Sequence, residues 1–118
     1  MIRTVRLELA RCAEFPEGSR DHGYELTLPL LADGRLDRPH WLKHRGELGF
    51  RRFWGDEDAA HGAVRHDPKG WSLSFASPDG GTDEAIFKGD EHRFAVGEYI
   101  TIAERDGVAR TFRVVSAE

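Results

Sequence analysis

Two histidines give the clearest sign of a site that could do chemistry. His40 and His44 are four residues apart in a segment with helical signals, so both rings would lie on one face of a helix. That spacing can bind Zn²⁺ or a similar divalent ion when a third ligand comes from elsewhere in the fold. The candidates for this third ligand are three other histidines and five acidic loop residues: His61, His66, His92, Asp56, Glu57, Asp58, Asp90 and Glu91. The alternative is that His40 and His44 serve only in packing or at the surface.

A basic segment next to aromatic residues supplies a second set of candidates. Residues 35–52 contain six basic and two acidic residues, and two aromatic residues follow directly. Arginines beside aromatic rings can contact phosphates and stack on bases. This arrangement suggests a single-strand nucleic-acid binder that uses Arg45, Arg51, Arg52 and Trp54.

Other features disfavour nucleic acid and point to a protein or small-molecule partner. The formal net charge is −4, and the chain has no Asn or Gln, the residues that make bidentate contacts to adenine. A barrel mouth lined by Trp41, Trp54 and Trp71 would instead bind an apolar or planar ligand. The candidate ligand-binding residues are therefore Trp41, Arg51, Arg52 and Trp54.

The chain contains no recognisable catalytic motif. It lacks a glycine-rich phosphate loop, a dinucleotide fingerprint, a nucleophile elbow, a Cys-x-x-Cys pair and a His-Glu-x-x-His pattern. No pair of carboxylates can be placed close together from the sequence, so general acid–base catalysis has no specific support. We therefore predict no catalytic residue, and no cofactor other than a divalent metal at His40 and His44.

The composition is that of a small globular protein. The 118 residues fit one domain spanning 1–118, with 39% hydrophobic and 32% charged residues. No apolar run approaches the roughly 18 residues of a membrane span, and the alternation of Val5, Leu7 and Leu9 indicates a strand rather than a signal peptide. The single cysteine, Cys12, fits a reducing compartment. We expect a cytoplasmic protein that does not contact membranes, and the three lysines among 17 basic residues suggest a GC-rich bacterial genome.

The last part of the sequence predicts a β-hairpin that would position any such site. Strand-forming residues flank Arg105-Asp106-Gly107, and a three-residue loop with glycine last is a common hairpin connection because glycine tolerates positive φ. This register places Ile100 opposite Phe112 and Ile102 opposite Arg110. A loop one residue shorter would mix apolar and polar faces, so we reject it.

Turn signals recur along the chain at the spacing of a small β-barrel or β-sandwich. They predict about eight strands and one short helix near 38–45, which Asp37 would cap and Gly46 would close. Successive hairpins imply antiparallel pairing. The predicted fold is a closed or half-open antiparallel barrel with the helix plugging one end, and the alternative is a two-sheet sandwich.

Two local irregularities are also expected. Pro29 lacks a ladder donor, which favours an edge position or a bulge for its strand. Arg51-Arg52 interrupts the alternation between Phe50 and Phe53, which predicts a bulge there.

The leading functional hypothesis is a non-catalytic domain that binds a protein or a small ligand. The second is a metal-binding protein or metal-dependent enzyme that uses His40 and His44. The third is the single-strand nucleic-acid binder. The sequence leaves the ligand and the oligomeric state open.

Overall fold

The computed structural model describes residues 1–44, 47–76, 83–89 and 92–118. These residues form eight strands and one helix: β1 (Ile2–Leu9), β2 (Ser19–Pro29), α1 (Arg38–His44), β3 (Gly49–Trp54), β4 (Ala60–Asp67), β5 (Gly70–Phe75), β6 (Asp83–Phe87), β7 (Tyr99–Ala103) and β8 (Ala109–Ala117). Each strand pairs antiparallel with the next, and β8 pairs with β1, so the sheet closes into an up-and-down barrel. The predicted mainly β class and the antiparallel barrel of about eight strands are confirmed, and of the closed and half-open forms that the sequence left open, the barrel is closed.

The predicted register of the final hairpin is also confirmed. Ile100 lies opposite Phe112, and Ile102 lies opposite Arg110. Gly107 closes the turn with a φ of 85°, a value that a residue without a Cβ adopts at low cost.

Alternating side chains from the strands fill the barrel. Leu26, Leu73, Ile100 and Phe112 have no exposed surface, and similar residues from the other strands complete one apolar cluster. Full burial of a large apolar side chain is worth about 1.5–3 kcal/mol, so this interior is the main source of stability.

The helix covers one end of the barrel, as the sequence predicts. Asp37 Oδ1 accepts the His40 backbone N–H at 3.2 Å, which is the expected N-cap. Trp41 is buried; its indole N–H donates to the Val64 carbonyl at 3.1 Å and its ring lies 5.6 Å from that of Trp71. The proposed closing residue, Gly46, lies outside the described residues.

The bulge predicted at Arg51-Arg52 is wrong. β3 pairs with β2 and β4 in continuous register, so Arg51-Arg52 forms no bulge; Arg52 points inward, and Phe53 lies outside under Arg6, whose Cζ is 4.3 Å from the ring. The closed barrel gives β2 a neighbour on both sides, but Pro29 lies opposite Ile2 of β1 and three residues beyond Leu26, the last residue of β2 that pairs with β3. The register shift in β2 lies at the other end of the strand, opposite Glu8 and Leu9.

In the part of the chain that the structure describes, no helix has both the length and the apolar character needed to cross a membrane.

Candidate functional site

Four polar side chains meet inside the barrel at the end opposite α1. The Tyr24 hydroxyl donates to Glu104 Oε2 at 2.5 Å, and Arg52 Nε donates to the same oxygen at 2.9 Å. Arg110 Nη1 donates to Glu104 Oε1 at 3.3 Å. The Glu104 side chain is 1% exposed, against 12% for Arg52 and 15% for Arg110. We call Tyr24, Arg52, Glu104 and Arg110 the polar network, and this end of the barrel the polar end.

Strand alternation explains why these polar groups point inward. Glu104 follows the buried Ile100 and Ile102 at two-residue steps, and Arg110 precedes the buried Phe112 at the same step. Side chains two apart in a strand share a face, so the residues that continue the apolar series at its end must also face the interior. The network therefore marks the level at which the apolar core ends.

Burial and charge pairing act against each other in this network. Burial alone would lower the pKa of Arg52, but the hydrogen bonds and charges of Glu104 and Tyr24 outweigh it and raise that pKa. Burial alone would also lower the pKa of Arg110. The hydrogen bond to Asp106 and the charge of Glu104 outweigh burial and raise that pKa. Burial raises the pKa of Tyr24, and the adjacent Glu104 carboxylate raises it further. At neutral pH both guanidiniums are charged and the phenol is protonated.

An aromatic layer covers the polar network. The Trp54 ring centroid lies 4.0 Å from Arg52 Cζ and 5.3 Å from Arg110 Cζ. His22 meets Trp54 edge-on with 4.6 Å between ring centroids, and Phe15 lies 4.5 Å from the other side of His22. Because Glu104 engages the donors beneath this layer, the polar network joins four strands rather than offering an open site.

An open groove of about 940 Å³ lies on the outer wall beside the polar end, between β7, β8, β1 and the loop that joins β1 to β2. The residues that carry its chemistry are Glu8, Arg11, Glu17, Ser19, Arg20, Tyr99, Thr111 and Arg113. Arg113 on β8 has Tyr99 of β7 as its pairing partner on one side and Glu8 of β1 on the other. We call this feature the arginine groove, after Arg11, Arg20 and Arg113.

A register shift between β1 and β2 builds one wall of the groove. Glu8 pairs with Gly23, but the next residue, Leu9, pairs with Ser19, so residues 20–22 of β2 are an insertion relative to β1. Such an irregularity bends the strand and re-aims its side chains. It places Arg20 on the groove.

Local hydrogen bonds hold this irregular segment in place. The Ser19 hydroxyl accepts the Asp21 backbone N–H at 3.2 Å and shares a second hydrogen bond with His22 Nδ1 at 2.7 Å. Arg6 Nη2 donates to the Arg20 carbonyl at 3.1 Å. The backbone that carries the Arg20 guanidinium is therefore fixed from two sides.

Three arginines and two glutamates line the groove, which gives it a formal charge of +1 on a chain whose formal net charge is −4. Within the described ranges, none of the three arginines has a carboxylate within 4.0 Å, whereas Glu8 pairs with Arg6 at 2.9 Å. Glu17 also lines the groove and offsets one of the three charges. Unpaired guanidiniums in a concave surface are the donors that bind carboxylate and phosphate groups.

The structure brings the two predicted metal-site histidines together but does not complete a site. The rings of His40 and His44 are 4.7 Å apart, and His44 Nδ1 lies 3.0 Å from Glu47 Oε2. Across the described residues, no group of three or more His, Cys, Asp or Glu side chains is arranged to hold a metal ion. Of the proposed third ligands, His66 packs against Trp41 and Trp71 instead. Asp90 and Glu91 lie outside the described residues.

The four predicted ligand-binding residues do not share a surface. Trp41 is the buried residue of the helix, at the opposite end of the barrel from Arg52 and Trp54, and Arg51 points outward to Glu25 at 2.6 Å. Arg52 is engaged by Glu104 inside the barrel. Arg45 of the nucleic-acid hypothesis lies outside the described residues.

Sequence reasoning missed the residues of the arginine groove. Arg11 and Arg20 lie about ninety positions or more before Arg113 in the chain, and the irregular β1–β2 pairing that joins them has no clear sequence signal. Glu104 did carry a signal, because it continues the inward series of Ile100 and Ile102.

Comparison of the chain with family models, with curated proteins and with solved structures gives no significant match.

Proposed function

We propose that the protein is a non-catalytic binding barrel that holds a small anionic ligand in the arginine groove. One observation carries the proposal: three guanidiniums without a carboxylate partner among the described residues line one concave surface of an acidic chain. Charged groups that are left unpaired in a groove favour a ligand of opposite charge, and arginine binds planar or tetrahedral oxyanions in bidentate fashion.

The groups around the groove suit binding better than catalysis. The Ser19 hydroxyl is engaged by Asp21 and His22, and the Thr111 hydroxyl lies 2.9 Å from that of Thr101. These hydrogen bonds fix the shape of the groove in the absence of a ligand. A preformed site spends less free energy on ordering its side chains when it binds.

Calorimetry and thermal unfolding with citrate, sulfate and inorganic phosphate test this proposal. A ligand that binds only the folded state and is present at one hundred times its Kd adds about 2.7 kcal/mol of stability. We expect stabilisation that weakens as salt rises, because the groove is open to solvent.

Charge-removal variants locate the site. Arg20→Ala and Arg113→Ala should each weaken anion binding, whereas Arg65→Ala, which removes an exposed arginine from the outer face of β4, should leave it unchanged. Equal effects of all three variants would show that the anions respond only to net charge, and the proposal would then be wrong.

A further inference from the structure

We infer that the ligand of the arginine groove is a phosphate monoester that carries a planar ring, such as a nucleoside monophosphate. The phosphate would lie on the three arginines and the ring on Tyr99. This inference rests on the proposed function and adds to it the chemical class of the ligand.

Tyr99 supplies the surface for the ring. It lines the groove and is 56% exposed, and among the described residues its ring has no aromatic, cationic or hydrogen-bonding partner. As the cross-strand neighbour of Arg113, it stands directly beside a guanidinium on the same outer face. An exposed ring next to an anion-binding group can stack on an aromatic part of the ligand.

The arginines fit a phosphate monoester in number and in chemistry. A phosphate monoester carries close to two negative charges at neutral pH and presents three acceptor oxygens. Arg113 is on β8, Arg11 follows β1 by two residues, and Arg20 is on β2, and all three line the groove. Two strand spacings, roughly 10 Å, separate Tyr99 on β7 from β1, and Arg20 on β2 lies one strand further. Ring and phosphate can therefore be held at opposite sides of the same groove.

The composition also limits how the ring can be recognised. The chain has no Asn or Gln, so no side-chain amide can read the edge of a base through paired hydrogen bonds. Stacking on Tyr99 depends on the face of the ring, which every base has. We therefore expect little discrimination between adenine, guanine, cytosine and uracil.

Isothermal titration at low salt with five probes tests the inference: adenosine monophosphate, cytidine monophosphate, ribose 5-phosphate, inorganic phosphate and adenosine. The two nucleotides should bind with similar affinity and about tenfold more tightly than ribose 5-phosphate. Tyr99→Ala should remove that tenfold difference and leave the affinity for ribose 5-phosphate unchanged. Arg113→Ala should weaken all four phosphate compounds, and Arg65→Ala should weaken none.

The outcomes separate this inference from the proposed function. If ribose 5-phosphate binds as tightly as the nucleotides and Arg113→Ala weakens both, the role of Tyr99 is wrong and the anion-binding function stands. If no anion binds at low salt, both fall. Oligothymidylates whose affinity rises steeply with length would identify a single-strand nucleic-acid groove and overturn the small-molecule inference.

Discussion

Neutralising Glu104 should cost the barrel more stability than any comparable change at its surface. The Glu104 carboxylate accepts hydrogen bonds from Tyr24, Arg52 and Arg110, and its side chain is 1% exposed. Glu104→Gln keeps the size of the side chain but removes its charge, so two largely buried guanidiniums lose their shared counter-charge. Breaking a buried ion pair by changing one partner costs about 3–5 kcal/mol.

The lower end of that range is expected here. Arg110 keeps its contact with Asp106 at 3.0 Å, and both guanidiniums retain some contact with water. We therefore expect Glu104→Gln to lower the free energy of unfolding by about 3 kcal/mol. For a chain of this length that corresponds to a fall in Tm of roughly 12 °C.

Glu25→Gln is the matched control. Glu25 pairs with Arg51 at 2.6 Å on the outer wall, a shorter contact than any that Glu104 makes to an arginine, but its side chain is 34% exposed. Exposed ion pairs contribute about 0–1 kcal/mol. Urea unfolding followed by circular dichroism measures both variants at pH 7. A cost for Glu104→Gln no larger than that for Glu25→Gln would refute the argument that burial, and not distance, decides the strength of these pairs.

Three further changes probe other parts of the fold. Burial and the neighbouring Glu104 carboxylate raise the pKa of Tyr24 above its ordinary 10.0, so the phenol contributes fully to stability below pH 10 and contributes less as the pH rises further. Between pH 8, 10 and 11 the free energy of unfolding should therefore fall more steeply for the wild type than for Tyr24→Phe, and parallel curves would contradict this. Gly62→Ala places a Cβ 2.0 Å from the Ser74 carbonyl oxygen and should lower the free energy of unfolding by at least about 3 kcal/mol, and a tolerated substitution would show that β4 and β5 can move apart. Gly107→Ala meets open space and strains only a φ of 85°, so it should cost about 1 kcal/mol in the same urea assay. Trp41→Phe removes the N–H that donates to the Val64 carbonyl, so it should lower the free energy of unfolding by about 1–3 kcal/mol. Thermal unfolding measures this loss, and an unchanged Tm would mean that the helix is held by ring packing alone.

Local sequence signals predicted the elements whose geometry is set by nearby residues. The final hairpin follows from Gly107, which sets the turn, and from the apolar pair Ile100 and Phe112, which sets the face. The helix follows from Asp37, whose side chain caps it. In each case the residues that fix the structure lie within about a dozen positions of one another, so the sequence alone contains the necessary information.

The β3 prediction failed because it assumed that aromatic residues face inward and arginines outward. In the structure Arg52 points inward because Glu104, 52 positions later, offers it a carboxylate. Phe53 points outward, but it is only 9% exposed because the side chains of Arg6 and Arg51 cover its ring. A strand that reverses the usual polarity of its faces can be recognised only when the strands beside it are known.

The candidate site depends on long-range pairing even more strongly. Arg11 and Arg113 share a groove only because β8 closes the barrel against β1, and the sequence alone left closure open. The arginine at 20 reaches the groove through the shifted pairing of Leu9 with Ser19. Charge counts along the chain instead favoured residues 35–52. In the structure, Arg51 of this segment lies on the outer wall and Arg52 lies inside the barrel.

The distribution of polar groups also explains why a ligand would bind on the outer wall. Aromatic side chains from different strands meet across the interior, with Tyr24 and Phe112 5.4 Å apart and Phe50 and Phe75 4.8 Å apart. The helix covers one end of this packed interior, and the polar network, with its donors engaged by Glu104, lies at the other. A ligand that entered the barrel would have to break these contacts. The guanidiniums of the arginine groove, in contrast, have no carboxylate partner among the described residues and are already exposed to solvent. Because closure fills the interior, we propose the outer wall, and not the inside of the barrel, as the place where the ligand binds.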